Sequence, residues 1–241
     1  MSRSLRVTAR RAAVLLGCLS LGLIGLRIPA TTRQGINYTV HRQQLPLYMK
    51  MISFFDRHWQ YRLLADRIGR DAVTDEARVR ALLAWTRSHI RPTPQGFPVI
   101  DDHVLHIIIR GYGQPDQAAD VFTTLATYAG IPAFWQVCED PATGQRIVLS
   151  FARVGGAWVA ADVAHGVLFE GADGRLLTMQ ELMADPALAG RGEGAVDFAR
   201  VFAGVGRFAP PRTLRAEKQM PWRRLWFEVR RAAGWEDQAN G

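Results

Sequence analysis

Apolar residues recur at helical spacing in the first third of the chain. The pattern from Pro46 to about Ile68 predicts one helix, because its apolar residues repeat every three to four positions. A second helix is predicted after Thr74, which can cap it, with Asp75 and Glu76 in the first turn, where the helix dipole favours negative charge. The prolines of Arg91-Pro92-Thr93-Pro94 end this helix.

A third helix is predicted from Pro115 to about Ala129, since proline suits the first helical position and Gly130 follows the last periodic residue. Its apolar face has the spacing i, i+3, i+4, i+7: Ala118, Val121, Phe122 and Leu125. A long connection over residues 95–114 precedes it. Within this connection the apolar run Val104–Ile109 favours a strand because it ends in three isoleucines.

Three strands are predicted after this helix: Ala133–Cys138, Ile147–Val154 and Ala157–Val163. Gly155-Gly156 lies between the last two and is typical of a two-residue hairpin turn. Consecutive strands joined by such turns pair antiparallel. The chain therefore changes from helices to an antiparallel sheet near its middle.

The C-terminal part is less regular. Thr178 with Glu181 predicts a capped short helix, and residues 185–214 are expected to form a loosely ordered wrapping segment. Pro221 opens a last helix whose apolar face is flanked by arginines. The two groups are Trp222, Leu225, Trp226 and Val229, and Arg223, Arg224, Arg230 and Arg231. This helix either docks on the domain, which is the favoured alternative, or lies in a membrane interface.

The N-terminus has the pattern of an export signal. Four arginines precede an apolar run over residues 12–26, which Arg27 ends. Residues 1–30 are expected to be a signal peptide cleaved after Ala30 or an uncleaved anchor, although a disordered basic arm stays open. Residues 31–44 are polar, and we expect an irregular spacer followed by the N-terminal helix, together spanning residues 31–74.

The composition limits the classes of molecule that the chain is expected to bind. The 241 residues are 48% hydrophobic and carry a net charge of +8 with a pI of about 10.3, so the chain can form a core with a basic surface. Such a surface suits anionic lipid or acidic polysaccharide. No nucleic-acid motif is present, so nucleic acid is not expected. Cys18 lies in the leader, which leaves Cys138 without an internal disulfide partner.

Two motifs resemble those of a known family. The stretch from Gly113-Gln114-Pro115-Asp116 to Gly130-Ile131-Pro132-Ala133, and the hairpin Trp158-Val159-Ala160-Ala161-Asp162, resemble the transglutaminase-like (papain-related) superfamily over about residues 75–165. The resemblance implies an α+β fold with helices packed on an antiparallel β-sheet. We expect this core at residues 75–184, followed by an extension at 185–241 with the basic amphipathic helix.

The family's chemistry requires a cysteine at the helix N-terminus, a histidine base and an orienting aspartate. Asp162 matches the aspartate. The cysteine position falls on Pro115, or on Asp116 if the alignment shifts by one, and no histidine occurs between Glu139 and Ala157, where it is expected near residues 148–150. A thioester mechanism at the usual position is therefore not expected.

The remaining candidates surround the same cleft. Asp116 and Asp162 could form an acid–base pair if burial raised one pKa, although each also has a purely structural role. Residues expected to line the cleft are Gln114, Pro115, Gln117, Asp102, His103 and His106.

Other histidines and the thiol are weaker candidates. His103 and His106 would share a face only on a helix, so no metal is expected, and no cofactor either. His165 should point away from Asp162 if the strand continues, because side chains alternate between the faces of a strand. Cys138 is not expected to be a nucleophile.

The sequence thus favours an exported bacterial protein, anchored in the inner membrane or periplasmic, that is catalytically inactive. The resemblance suggests a binding or accessory role in exopolysaccharide assembly, with anionic polysaccharide or envelope assembly proteins as partners. One alternative is a hydrolase with an aspartate-based site. Another is a structural protein that associates with the membrane through its two ends.

Overall fold

The computed structural model describes residues 15–17, 20, 22, 24–101, 103–190 and 196–232. Most of the leader, Cys18 and Asp102 lie outside these ranges. The fold is α+β, with helices packed on an antiparallel sheet. In the described part of the chain, no helix is both long enough and apolar enough to span a bilayer.

The segment expected to be an irregular spacer forms a β-hairpin. Strands β1 (Pro29–Ile36) and β2 (Thr39–Pro46) pair antiparallel in one-to-one register. Asn37 and Tyr38 form the two-residue turn, with φ values of 47° and 66°. The spacer expectation was wrong because the hairpin is largely solvent-exposed, and an exposed strand has no apolar alternation to reveal it.

The first two predicted helices are confirmed. Helix α1 spans Leu47–Ile68 and helix α2 spans Asp75–His89. The Thr74 hydroxyl accepts a hydrogen bond from the Ala77 amide at 3.1 Å, as expected of an N-cap. The short strand β3 (Arg91–Pro92) follows and pairs parallel with β5 (Tyr112–Gly113).

The isoleucine-rich run is a helix, so the strand prediction was wrong. After β4 (Ile100–Asp101), helix α3 spans Val104–Arg110 and ends at Gly111, whose φ is 71°. Val104 and Ile107 are buried one helical turn apart, in the same core as α1. Tertiary packing therefore overrides the β-propensity of the isoleucines.

Helix α4 (Pro115–Tyr128) lies at the centre of the molecule. Its apolar face is fully buried, and most of its other side chains are buried as well. It contacts α1, α2 and α3, and strands β6 (Ala133–Glu139) and β7 (Arg146–Val154). Gly130, with a φ of 86°, turns the chain out of the helix.

The main sheet has four antiparallel strands in sequence order. Strand β8 (Ala157–Asp162) pairs with β7 through the Gly155-Gly156 turn, whose φ values are 56° and 89°, and β9 (Val167–Leu168) forms the edge. One face of this sheet packs on the helical core around α4. The other face packs on a second cluster that includes Leu149, Phe151 and Phe198.

The C-terminal part forms that second layer. Helix α5 (Met179–Ala184) has the expected Thr178–Glu181 capping box. The segment expected to be loosely ordered contains helix α6 (Phe198–Ala203), whose Phe198 and Phe202 are buried. A 3₁₀ turn at Arg215–Gln219 leads into helix α7 (Pro221–Ala232). The apolar face of α7 is exposed, so the favoured expectation that it docks on the domain was wrong.

Candidate functional site

The first turn of α4 is held by a buried glutamine. The Gln117 Oε1 atom accepts hydrogen bonds from the Gln114 amide and from Arg110 Nη2, both at 3.0 Å. Its Nε2 atom donates to the Ile100 carbonyl at 2.5 Å. Gly113 is needed beside it, because a Cβ there would lie 2.9 Å from Gln117 Oε1. The Gln117 side chain therefore connects the start of α4 to Arg110 and to the Ile100 carbonyl, and these hydrogen bonds fix its geometry.

A cleft of about 640 Å³ opens at this helix start. It lies between the first turn of α4, the main sheet and the β1–β2 hairpin. The predicted residues that line it are Gln114, Pro115, Asp116, Gln117 and Asp162. The others are Gly35, Tyr38, Val40, Val99, Asp101, Trp135, Val137, Gln145, Arg146, Ile147, Val148, Ala164, His165 and Val196.

His165 forms a close pair with Asp162 inside the cleft. Its Nδ1 atom lies 2.7 Å from Asp162 Oδ2, and its backbone amide donates to Oδ1 at 3.2 Å. The Asp162 side chain is 1% exposed and that of His165 is 45% exposed. The expectation that His165 points away from Asp162 was wrong. Strand β8 ends at Asp162, and the turn that follows brings the imidazole back towards the Asp162 carboxylate. A carboxylate in this position orients and stabilises an imidazole base.

Strand β7 has no histidine at residues 148–150, where the resemblance led us to expect one. Val148 lines the cleft, and Leu149 belongs to the core on the other side of the sheet. Ser150 is fully buried, and its Oγ has no hydrogen-bond partner among the described residues. Pro115 at the helix start has no reactive side chain. The cleft therefore holds a base–carboxylate pair beside a helix that presents no thiol.

Trp135 is held on the cleft wall by two charged side chains that the sequence did not single out. Its Nε1 donates to Asp120 Oδ1 at 2.6 Å, and the Arg215 guanidinium lies 5.9 Å from the indole ring centre. Arg215 Nη1 is also 3.4 Å from Asp120 Oδ2. Burial raises the pKa of Asp120, although Arg215 and Trp135 oppose that shift. The available signal was Asp120, a charged residue between Ala119 and Val121 in the middle of the predicted helix.

The other predicted residues lie elsewhere. His103 and His106 do not line the cleft. They lie at the start of helix α3 and not on a strand, and their ring centres are 5.9 Å apart. Asp102 lies outside the described residues. Within the described ranges, no three His, Cys, Asp or Glu side chains are placed to hold a metal ion. Cys138 is buried, which raises the pKa of its thiol, and it does not line the cleft.

The cleft is more acidic than the protein as a whole. Asp101, Asp116 and Asp162 line it against one arginine, Arg146, whereas the chain has a net charge of +8. A field of this sign favours neutral or cationic ligands over anionic ones. Trp135 and Tyr38 add aromatic surface to the same walls.

No family model matches the chain, and no curated protein matches it. Solved structures that it resembles include a candidate protease from Parabacteroides distasonis, at 15% identity over 42% of this chain and 22% of that one, with a TM-score of 0.36. A candidate cysteine protease from Cytophaga hutchinsonii aligns at 16% identity over 48% of this chain and 40% of that one, with a TM-score of 0.39. A TGase aligns at 14% identity over 61% and 46%, with a TM-score of 0.33.

The chain spans less than half the length of each of these three structures. The fold and the site define an α+β protein with a cleft between a helix start and an antiparallel sheet. In that cleft a His–Asp pair faces a proline-opened helix.

Proposed function

We propose that this chain is a transglutaminase-like protein that has lost its thiol chemistry and acts as a binding or accessory protein of the cell envelope. The observation that supports the proposal is the start of α4, where Pro115 and Asp116 occupy the two positions that the resemblance aligns with the family's cysteine, and neither carries a thiol. The cleft beside it remains open at about 640 Å³. A preserved cleft without a nucleophile is suited to binding rather than acyl transfer.

The proposed process is exopolysaccharide assembly, and the proposed location is the periplasm or the outer side of the inner membrane. The acidic walls of the cleft suit a neutral or amine-bearing ligand. An anionic polysaccharide would instead contact the arginine-rich surface, where it would not face Asp101, Asp116 and Asp162.

Gene deletion in the native host tests this proposal. Surface and secreted polysaccharide would be measured after complementation with wild type, Asp116→Asn and Asp162→Asn, with protein levels checked by blot. We expect deletion to change the polysaccharide and both variants to restore it at least in part. If deletion leaves the polysaccharide unchanged, the proposed process is wrong.

A second candidate, a hydrolase with an altered site, is favoured by the 2.7 Å contact between His165 and Asp162. In this mechanism His165 takes a proton from a water molecule, and the water oxygen attacks an electrophilic carbon of the substrate. Asp162 stabilises the imidazolium, which gives its proton to the leaving group as the bond between that group and the attacked carbon breaks.

His165→Asn and Asp162→Asn distinguish the two functions. The hydrolase requires both variants to fail in complementation although they fold and accumulate normally. A binding protein tolerates them, because an asparagine preserves most hydrogen bonds in the cleft. Asp116→Asn tests the other carboxylate at the helix start in the same way.

A further inference from the structure

Helix α7 exposes a row of four large apolar side chains on one side. Trp222, Leu225, Trp226 and Val229 are 82%, 54%, 58% and 44% exposed, respectively. Their spacing of i, i+3, i+4 and i+7 puts them on one side of the helix, within an arc of about 100°. Apolar surface of this extent in water is unfavourable and marks a contact with another surface.

This face is turned outwards by contacts on the opposite side of α7. The Phe227 ring lies 4.6 Å from Lys218 Nζ and 5.6 Å from the Arg224 guanidinium carbon. Arg223 Nη1 pairs with Glu217 at 3.0 Å. The contacts of Lys218 and Glu217 join α7 to the preceding 3₁₀ turn, so the helix is held with its tryptophans directed away from the domain.

The 3₁₀ turn is in turn anchored to the helical core. Tyr128 donates its hydroxyl hydrogen to the Gln219 carbonyl at 3.0 Å, and His58 Nδ1 lies 3.0 Å from the same hydroxyl oxygen. Gln219 stands two positions before Pro221. The start of α7 is therefore fixed beside the middle of α1.

Helix α1 has a second exposed apolar row beside this anchor. Five large apolar residues repeat at helical spacing on the side opposite its buried residues: Tyr48, Ile52, Phe55, Trp59 and Leu63. The Trp59 ring lies 5.5 Å from the His58 ring, which links the row to the anchor of α7. The Leu47 amide donates to the Ile28 carbonyl at 2.9 Å, so the row also begins where the N-terminal segment ends.

We propose that α7 lies on an anionic lipid bilayer, with Trp222, Leu225, Trp226 and Val229 in the interface. The positive charge beside this face favours an anionic bilayer as its contact surface. Arg223 and Arg230 lie beside the apolar face, where they can contact lipid phosphates as in interfacial amphipathic helices, and the chain as a whole has a net charge of +8. A second copy of the chain would bring two arginine-flanked faces together, which like-charge repulsion opposes. The inference is independent of what the cleft binds.

Quenching by brominated lipids tests this contact directly. The full chain would be reconstituted in nanodiscs containing bromine near the glycerol end of the acyl chains, with an anionic or a zwitterionic lipid as the main component. Wild type would be compared with the Trp222→Phe/Trp226→Phe variant, so that the difference reports the two α7 tryptophans alone. This readout does not depend on whether the N-terminal segment inserts.

Trp158→Phe is the matched control, because Trp158 packs against Phe134 and Phe208 within the domain. We expect the quenched fraction of the emission to fall at least twofold in the α7 variant and to stay unchanged in the control. We also expect half-maximal quenching at about tenfold lower lipid in the anionic discs, since each arginine near the surface adds to binding.

Equal quenching in wild type and the α7 variant would overturn the proposal. Equal quenching in anionic and zwitterionic discs would overturn the role of the arginines. Tryptophan emission that shifts to the blue with protein concentration, without lipid quenching, would assign the face to a second copy. Unchanged circular dichroism and melting temperature establish that the variants fold.

Discussion

Helices α4 and α7 begin alike but have opposite surroundings. Each opens with a proline, and each places four apolar residues at i, i+3, i+4 and i+7. In α4 this face is buried by three helices and the sheet, whereas in α7 it is exposed. Periodicity therefore defines which residues share a face, but not what covers that face.

The residues between the apolar positions account for the difference. In α4 the intervening side chains are mainly alanine and threonine. The threonine hydroxyls donate hydrogen bonds to backbone carbonyls one turn earlier, so this helix can be buried on nearly all sides. In α7 they are Arg223, Arg224, Phe227 and Glu228, and the three charged ones are costly to bury without a partner. The polar positions thus distinguish a core helix from a surface helix.

Removing one aromatic ring from each helix should give the largest difference between them. Phe122 in α4 is 0% exposed, so Phe122→Ala should lower the free energy of unfolding by about 3–5 kcal/mol, through lost burial and a cavity. Trp226→Ala in α7 should change it by less than about 0.5 kcal/mol, because its ring already contacts solvent. Chemical denaturation of the full chain in mild detergent measures both.

The third residue of each helix gives a smaller contrast. Gln117→Ala should cost about 1–3 kcal/mol, because it removes the hydrogen bonds of a buried amide and leaves the Gln114 amide without this partner, whereas the Ile100 carbonyl keeps the bond from Arg110 Nη2. The matched change, Arg223→Ala, removes an exposed ion pair with Glu217 and should cost at most about 1 kcal/mol. The same denaturation experiment compares the two variants. A larger loss for Arg223→Ala would contradict the conclusion that the start of α4 is buried and the start of α7 is exposed.

The elements with a strong periodic signal were predictable from sequence. Helices α1, α2 and α4 and strands β6 to β8 lie within one or two residues of their expected bounds. The exposed hairpin β1–β2 was missed because its strands bury little on either face. Helix α3 was missed because a six-residue apolar run fits a strand or a helix equally well, and only the packing of Val104 and Ile107 decides.

The cleft was only partly predictable. The Trp-x-x-x-Asp motif led to Asp162, and the helix start led to Gln114–Gln117, all of which line the cleft. His165 was dismissed, since strand alternation was extended beyond the last strand residue. Trp135 and Asp120 come together from β6 and α4, and no local pattern encodes a contact between two elements.

The buried charge inside α4 should make stability depend on pH. Burial raises the pKa of Asp120 above its unfolded value of about 3.9. Between the pKa of Asp120 in the unfolded chain and its higher pKa in the folded protein, the folded state binds more protons than the unfolded state. The free energy of unfolding therefore falls as the pH rises through this range. Asp120→Asn should remove this contribution.

The measurement is the free energy of unfolding against pH for wild type and Asp120→Asn, and the informative quantity is their difference. Arg230→Gln in α7 is the control, and it should leave the pH dependence unchanged. If the difference had the opposite sign, Arg215 and Trp135 would outweigh burial at Asp120, and the carboxylate would be the preferred form in the fold.

The smallest contrast comes from the two opening prolines. Pro115→Ala should lower the free energy of unfolding by about 0.4–1 kcal/mol, because proline restricts the unfolded chain and fits the first helical position. Pro221→Ala should have no measurable effect on the same transition, since α7 contacts the domain mainly through the adjoining 3₁₀ turn and need not unfold with the core. Equal losses for the two variants would mean that α7 unfolds cooperatively with the domain. The hydrogen bond between Tyr128 and Gln219 would then couple the helix to the core through the 3₁₀ turn, although its apolar face stays exposed.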